Sequence, residues 1–332
     1  MRPPAFWSAP GPNRIAALLG PLEAITARAT ARRLGRPGWR APVPVVCCGN
    51  VGVGGAGKTT LALDLAQGLR QRGLAVHCLT RGYGGTASRK RNGHAPLRVD
   101  PDRHEAARTG DEALLLARVA PCWVGADRAA SARAAVAAGA QILLMDDGLQ
   151  NPGLVQDWPM LVIDGRIGFG NGRLLPAGPL REPVAAAAAR TACVVLIGAD
   201  ATGACACLPP GLMRLGADLE MDPALVRLRG HKLLAFAGIA RPGKFFEALA
   251  GQGLTLAATR PFPDHHRYRP RELDRLLREA DRLQAVLITT PKDAVRLPSV
   301  LQSQVHVAGV SLRWRDPLAR DELLDRMAQG AR

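Results

Sequence analysis

The chain has 332 residues, 47% of them hydrophobic, which is enough for two domains that each bury a core. Its seven cysteines include no Cys-x-x-Cys pair and no cluster with histidine at zinc spacing, so we expect free thiols rather than a disulfide framework or a structural metal site. The formal net charge of +16 indicates either an anionic partner or merely a surface of solvated arginines. Only 4% of the residues are aromatic, so the chain lacks the stacking surfaces that are typical of nucleic-acid binding.

Residues 1–40 are predicted to form an amphipathic segment of their own. Apolar side chains recur at helical spacing from Ile15 to Ile25, arginines flank them or line the other side, and Pro21 is expected to kink or divide the helix. The apolar run is too short and too interrupted to span a bilayer, and it lacks the features of a signal peptide. The pattern leaves two alternatives, a helix that lies in a membrane interface and a helix packed on its own domain.

Residues 49–60 have the pattern of a phosphate-binding loop. They follow an apolar strand and precede a helix with leucines four residues apart, at positions 61, 65 and 69. Glycines allow successive backbone N–H groups to turn towards phosphate oxygens, the Lys58 ammonium can reach the β- and γ-phosphates, and the Thr59 hydroxyl can bind Mg²⁺. We therefore predict a nucleoside triphosphate site formed by Gly52, Val53, Gly54, Gly55, Ala56, Gly57, Lys58, Thr59 and Thr60.

Short β-rich runs alternate with helical patterns across residues 41–200. This alternation predicts an α/β fold of the P-loop NTPase type, with a mostly parallel sheet and flanking helices. Ligands of such sheets gather at the carboxyl ends of the strands. The predicted strands are Val43–Cys48, Ala75–Leu79, Ile142–Met145, Met160–Ile163 and Cys193–Ile197, and the predicted helices include Glu112–Val119 and Arg128–Ala138.

Paired acids mark two places at that edge of the sheet. Asp146 and Asp147 end an apolar strand, where a phosphate-loop enzyme places the aspartate that holds Mg²⁺. Because adjacent side chains point in different directions, we expect these two acids to have different tasks. Asp111 and Glu112 begin a predicted helix, where acids cap the helix and can also take part in catalysis.

Three arginines are candidate phosphate ligands. Arg81 lies in a Gly-rich turn after a predicted strand, where it can neutralise a phosphate group. Residues 165–183 form a long segment rich in glycine and proline, and loops of this length inside a domain are usually functional. Within it, Arg173 and Arg181 can bind phosphate through paired hydrogen bonds.

Residues 201–332 are predicted to form a second, smaller α/β domain. Small residues and prolines at 198–211 indicate a linker before it. The alternation then resumes with Leu233–Phe236, Lys244–Leu249, Arg271–Ala280, Val286–Thr289 and Val305–Val310.

Two motifs stand out in this half. His265 and His266 follow Asp264, and this pattern suits either general acid–base catalysis or a plain surface loop. A metal site is not supported, because the sequence shows no further ligand near the pair. Residues 289–293 superficially resemble the guanine-recognition motif of GTPases, but the lysine and the aspartate are adjacent here. We therefore expect an adenine nucleotide.

Taken together, the motifs resemble those of the tetraacyldisaccharide 4′-kinase family of lipid A biosynthesis. The resemblance covers most of the chain, and its order and combination of motifs are highly specific, although the phosphate loop alone is not. The motifs are Gly49-Asn-Val-Gly-Val-Gly-Gly-Ala-Gly-Lys-Thr, Arg81-Gly-Tyr-Gly-Gly, Gly110-Asp-Glu, Asp146-Asp-Gly-Leu-Gln, Gly172-Arg-Leu-Leu-Pro-Ala-Gly-Pro-Leu-Arg-Glu-Pro, Asp264-His-His and Lys292-Asp-Ala-Val.

The resemblance implies transfer of the γ-phosphoryl group of ATP, with Mg²⁺, to the 4′-hydroxyl of tetraacyldisaccharide 1-phosphate, which forms lipid IVA. It implies two α/β/α domains with the active site between them, and an N-terminal helix that docks on the bilayer, which favours the membrane alternative for residues 15–25. We accordingly expect a peripheral protein, a monomer, at the cytoplasmic face of the bacterial inner membrane. The positive charge then has a target in an anionic lipid on an anionic surface.

By position, the resemblance also implies residue roles. Asp111 corresponds to the base that accepts the proton of the sugar hydroxyl, and a histidine from the other domain pairs with it; His265 is favoured, with His266 as the alternative. Lys58 would stabilise the developing negative charge. Mg²⁺ would be positioned directly or through water by Thr59, Glu112 and either Asp146 or Asp147, and the transferred or substrate phosphate would be bound by Arg81, Arg173 and Arg181.

The chain departs from the family pattern at three positions. Thr60 and Ala113 stand where proline is common, and Leu149 replaces an aromatic residue; all three are local changes that leave the chemistry intact. The main alternative function is a switch ATPase of the partitioning or targeting type, because residues 54–60 resemble the phosphate-binding loop of those proteins. Those proteins carry a signature lysine where this chain has Val53. A nucleotide-gated binding module without transferase activity is the third hypothesis.

Overall fold

Two β-sheets organise the chain in the computed structural model, which describes residues 4–8, 11, 13–87 and 95–331. In chain order the strands are β1 (Val45–Gly49), β2 (Val76–Thr80), β3 (Leu97–Arg98), β4 (Cys122–Val124), β5 (Ile142–Asp146), β6 (Trp158–Asp164), β7 (Cys193–Ile197), β8 (Met213–Met221), β9 (Lys232–Ala237), β10 (Thr255–Pro261), β11 (Ala285–Thr289), β12 (His306–Val307) and β13 (Val310–Trp314). The helices are α1 (Arg14–Leu18), α2 (Gly20–Leu34), α3 (Lys58–Gln71), α4 (Ala106–Thr109), α5 (Asp111–Ala117), α6 (Arg128–Ala137), α7 (Val184–Ala188), α8 (Pro242–Gly251), α9 (Pro270–Leu283), α10 (Pro291–Ala294), α11 (Ser299–Gln302) and α12 (Pro317–Gln329).

The larger sheet has nine strands in the order β13-β8-β7-β6-β1-β5-β2-β4-β3. Its inner pairs are parallel, and the pairs at its two edges are antiparallel. The central strands are buried on both faces, which explains why their sequences are continuously apolar. In β1, Cys48 lies opposite Asp146 of β5. The carboxyl ends of β1 and β5 therefore meet, and this places the phosphate loop beside the paired aspartates.

Helices cover both faces of the larger sheet. On one face α3, α5 and α12 bury their apolar sides, and Leu61, Leu65 and Leu69 of α3 are fully buried there, as their four-residue spacing predicts. On the other face α6 and α7 contribute mainly alanines to the core. The apolar core thus fixes the position of α3, whose first residue is Lys58.

The N-terminal segment forms two helices rather than one. The division falls at Leu19, and Pro21 lies in the first turn of α2, where proline is tolerated because its missing N–H has no partner in the helix. Four apolar side chains, Ile15, Leu18, Leu22 and Ile25, are 50–82% exposed. Within the described part of the chain, the helices are all too short or too polar to cross a membrane.

The smaller sheet has the order β10-β9-β11-β12, and its pairs are parallel. Helix α8 packs with one core cluster of this sheet and α9 with the other. The sheet membership differs from the expected boundary at residue 200, because β8, β13 and α12 all belong to the larger unit. Residues 198–211, which resembled a linker, connect the neighbouring strands β7 and β8 instead. The smaller unit therefore spans residues 222–309.

Candidate active site

The phosphate loop joins β1 to α3 and has the backbone conformation that its glycines allow. Gly54 and Gly57 have φ angles of +128° and +83°. A Cβ atom at Gly57 would also lie 2.4 Å from Cδ1 of Ile197, so the position requires glycine. Lys58 Nζ donates to Asn50 Oδ1 at 3.0 Å and to the carbonyl oxygen of Gly54 at 3.2 Å. Burial lowers the pKa of Lys58. Its ammonium is thus held within the loop where a phosphate group would bind.

The paired aspartates after β5 face different partners. Asp146 Oδ2 accepts a hydrogen bond from Thr59 Oγ1 at 3.0 Å. Burial and the nearby charges of Asp147 and Glu112 raise the pKa of Asp146 to about 6. Asp147 turns away with a φ of +54°, and its carboxylate lies 3.7 Å from Lys58 Nζ and 3.1 Å from Arg181 Nη1. The two acids are therefore placed for different tasks.

The acids at the start of α5 are positioned by the Gly-rich turn at 82–85. Gly110, with a φ of +87°, packs so closely on this turn that a Cβ atom would lie 2.6 Å from the Tyr83 carbonyl oxygen. This contact brings two of the sequence motifs together in space. Asp111 is the first residue of α5 and is only 5% exposed.

The smaller unit brings a histidine to Asp111. Nδ1 of His265 lies 2.8 Å from Asp111 Oδ2. Burial acts to raise the pKa of Asp111, but hydrogen bonds from His265 and Arg296 outweigh it and lower that pKa to about 2. The hydrogen bond to Asp111 raises the pKa of His265. A charged pair thus joins the two units.

His266 has a different environment from His265. Its Nε2 lies 3.0 Å from Glu272 Oε2, and its ring stacks on Phe262 with centroids 4.7 Å apart. Both partners belong to the smaller unit. The structure therefore brings His265, and not His266, to the carboxylate of Asp111.

Two further cations from the smaller unit reach the same acids. Lys292 Nζ lies 2.5 Å from Glu112 Oε1, and Arg296 Nη2 donates to Asp111 Oδ2. From the sequence, Lys292 is predicted only as part of a motif, and Arg296 is not predicted as a site residue. The available signal was their four-residue spacing, which brings two side chains onto one face of a helix; in the structure α10 ends at Ala294, and Arg296 lies in the turn that follows it.

Two buried carboxylate oxygens fit a magnesium ion bound with the nucleotide. Asp146 Oδ1 and Glu112 Oε2 are both buried without a hydrogen-bond partner among the described residues. Carboxylate and hydroxyl oxygens are ligands that Mg²⁺ prefers, usually with water and phosphate oxygens completing its shell. The described residues contain no cluster of three acidic, histidine or cysteine side chains that could hold a metal alone. The donors therefore suit a metal that shares its shell with phosphate.

The candidate arginines have three different environments. The backbone of Arg181 donates to the Val51 carbonyl oxygen, and its side chain binds Asp147, beside the phosphate loop. Arg173 instead forms an ion pair with Glu23 of α2 at 2.7 Å. Arg81 is exposed, and no ion pair joins it to any described residue. The structure thus places Arg181 near the phosphate loop and engages Arg173 with the N-terminal helix.

Comparison with known proteins identifies relatives of the whole chain. The family model for tetraacyldisaccharide-1-P 4′-kinase matches residues 15–329. The tetraacyldisaccharide 4′-kinase of Gluconacetobacter diazotrophicus is 60% identical over 98% of each chain, and that of Gluconobacter oxydans is 49% identical over 98% of this chain and 97% of the relative.

A fold relative is found among the solved structures. The "apo" form of LpxK from Aquifex aeolicus in complex with ATP superposes with a TM-score of 0.75 at 23% identity and covers 94% of this chain and 99% of its own. At this level of identity the likeness shows the fold alone. It confirms the predicted α/β fold with a mostly parallel sheet.

Proposed function

The chain belongs to the tetraacyldisaccharide-1-P 4′-kinase family, and we propose that Asp111 is the base of its reaction. The reaction transfers the γ-phosphoryl group of ATP to the 4′-hydroxyl of tetraacyldisaccharide 1-phosphate, in lipid A biosynthesis. The observation that carries the role of Asp111 is its contact with His265 across the two units, at the sheet edge that bears the phosphate loop. The switch-ATPase alternative is not favoured, because the family makes a phosphorylated lipid.

The proposed transfer needs one base and concentrated positive charge. The proton of the 4′-hydroxyl passes to Asp111, the hydroxyl oxygen bonds to the γ-phosphorus, and the bond from that phosphorus to the bridging oxygen breaks to release ADP. Lys58, desolvated at the first turn of α3, stabilises the charge that develops on the phosphoryl group. Because phosphoryl transfer depends mainly on positioning and charge neutralisation, a base of low pKa is sufficient.

The remaining polar groups are proposed to bind the metal and the phosphates. Thr59, Glu112 and Asp146 would hold Mg²⁺, directly or through water, and the ion would neutralise phosphate oxygens. Asp147, engaged by Lys58 and Arg181, is the less direct candidate for that role. Arg181 and Arg81 are the candidate ligands of the substrate or transferred phosphate. Arg173 is the weaker candidate, since Glu23 already pairs with it.

We also propose that the N-terminal segment docks on the cytoplasmic face of the bacterial inner membrane as a peripheral anchor of a monomer. Its exposed apolar side chains would enter the interface, and the net charge of +16 would be attracted to anionic lipid. A membrane position suits a substrate that carries four acyl chains.

Asp111→Asn tests the base. We expect kcat to fall by about 10²- to 10⁴-fold while ATP binding is retained, since the amide keeps the shape of the side chain but cannot accept the proton. The measurement follows label from γ-labelled ATP into detergent-solubilised tetraacyldisaccharide 1-phosphate. Asp316→Asn, a capping acid at the start of α12, serves as a control that should keep full activity. Unchanged turnover in Asp111→Asn would contradict the role; wild-type protein that binds ATP but labels no lipid would instead favour the switch ATPase.

A further inference from the structure

Arg296 follows α10 in the smaller unit and joins two carboxylates. Its Nη1 donates to Asp293 Oδ1 at 3.0 Å and to the Gly238 carbonyl oxygen at 2.7 Å, while Nη2 donates to Asp111 Oδ2. The side chain is only 4% exposed, and its Nε is buried without a partner among the described residues. An unsatisfied buried donor lowers the stability of the fold, so a guanidinium buried at this position calls for an explanation.

Asp293 fixes the guanidinium from the side of the smaller unit. It is fully buried and accepts hydrogen bonds from the Gly238 N–H at 2.9 Å, from Tyr268 Oη at 2.8 Å and from Thr290 Oγ1 at 2.6 Å. A carboxylate held by so many donors has little freedom to move. Arg296 is thereby held rigidly with respect to the core of the smaller unit.

Among the described residues, two side chains donate hydrogen bonds to Asp111, and both bonds end on the same carboxylate oxygen. His265 Nδ1 and Arg296 Nη2 both contact Oδ2. Two donors from separate elements on one oxygen restrict rotation of the carboxylate about its bond to Cβ. The other oxygen, Oδ1, is left to accept the proton of the acceptor hydroxyl.

We propose that Arg296 is a positioning residue of the kinase reaction, which holds Asp111 Oδ2 so that Oδ1 faces the 4′-hydroxyl. This inference rests on the proposed role of Asp111 as the base. Arg296 makes no contact with the phosphate loop among the described residues, so its loss should affect kcat and leave ATP binding unchanged. A misplaced catalytic group typically costs about 10²-fold in rate.

Arg296→Met, Arg296→Lys and Leu276→Ala form a matched series. Arg296→Met should lower kcat by about 10²-fold with little change in KM for ATP, and Arg296→Lys should recover part of the loss, because one ammonium can reach Asp111 but cannot bridge both carboxylates. Leu276→Ala leaves a cavity in the core of the same unit and removes no donor to Asp111 or Asp293, so its kcat should stay near wild type. Equal losses of kcat in Leu276→Ala and Arg296→Met would show a merely structural role and overturn the proposal.

A double-mutant cycle separates this inference from the proposed base. If Arg296 acts through Asp111, Arg296→Lys should reduce kcat much less in an Asp111→Asn background than in wild type. Full additivity of the two losses would overturn the positioning role while leaving the base in place. An Asp111→Asn variant with unchanged turnover would instead refute the base itself.

Discussion

At the scale of single residues, the site contains two pairs of identical neighbours, and one residue of each pair has a left-handed backbone conformation. Asp147 and His265 have φ angles of +54° and +56°, a conformation that side chains other than glycine rarely adopt. Asp147 thereby faces Lys58 while Asp146 faces Thr59. In the same way, His265 reaches Asp111 while its neighbour packs within the smaller unit. The strained backbone thus gives adjacent identical side chains different tasks.

The His265–Asp111 pair predicts a pH-dependent stability. The pKa of His265 is raised in the folded state, so its contribution to the free energy of unfolding is present below its unfolded pKa and is lost as pH rises through the folded value. The pKa of Asp111 is lowered to about 2 in the folded state, so its contribution to the free energy of unfolding is lost only as pH falls towards that value. We expect His265→Gln to reduce the free energy of unfolding more at about pH 5.5 than at about pH 9. Urea unfolding at the two pH values measures this.

His231→Gln is the control for that experiment, because His231 is exposed and forms no ion pair with any described residue. Its effect should be small at both pH values. A deficit in His265→Gln that is the same at acidic and alkaline pH would show that the histidine contributes by packing and not by its charge.

At the scale of elements, the N-terminal helices are connected to the phosphate loop through residues 165–183. Glu23 of α2 accepts hydrogen bonds from the Arg173 side chain and from the Leu174 N–H at 2.8 Å. Further along the same loop, the Pro179 carbonyl oxygen accepts from the Val53 N–H at 2.9 Å. The long Gly- and Pro-rich loop therefore contacts α2 through Arg173 and Leu174 and the phosphate loop through Pro179.

Leu18→Ser combined with Ile25→Ser tests the membrane role of these helices. The two side chains are 82% and 60% exposed, so the free protein should fold normally. Burying such a side chain in an interface contributes on the order of 1.5–3 kcal/mol, so we expect vesicle binding to fall by at least tenfold. Co-sedimentation with vesicles that contain anionic lipid measures this.

Leu318→Ser is the matched control, because Leu318 is 81% exposed but lies on α12 and not on α1 or α2. Its vesicle binding should equal that of the wild-type protein. Equal losses in the control and the double variant would show that the apolar side chains of the N-terminal helices have no special role at the membrane.

At the scale of the whole molecule, the smaller unit is an insertion between two neighbouring strands. β8 leads into it and β13 leads out of it, and the two strands pair antiparallel, with the Asp222 N–H donating to the Gly309 carbonyl oxygen at 3.0 Å. The C-terminal helix then returns to the larger unit, where it packs on α3. The last residues of the chain thus support the helix that begins with Lys58.

Leu324→Ala tests this dependence. Leu324 is fully buried, and it packs so close to α3 that a Cβ atom at Gly68 would lie 2.7 Å from its Cδ1. We expect the substitution to lower the free energy of unfolding by about 2–5 kcal/mol, as for other large-to-small changes in a core. Chemical denaturation measures it against Leu318→Ala, an exposed position on the same helix. A loss below about 1 kcal/mol would contradict a core role for α12.

Local patterns predicted much of the fold. The strand expected at residues 193–197 matches β7 in full, and the four other strands predicted for residues 41–200 lie within two residues of their observed ends. These strands are continuous apolar runs between turn residues, which a short stretch of sequence shows directly. The division at residue 200 did not match the sheets, because the membership of β13 depends on pairing with a strand about ninety residues away.

By itself, the sequence determined the phosphate loop, the alternation of strands and helices and the family, because each depends on residue types at fixed short spacings. Only the tertiary structure decided which histidine reaches Asp111, that Arg173 pairs with Glu23, and that Arg296 joins the site. His265 and Arg296 lie 154 and 185 residues from Asp111 along the chain. Contacts at such separations follow from how the two sheets pack together, and no local pattern encodes them.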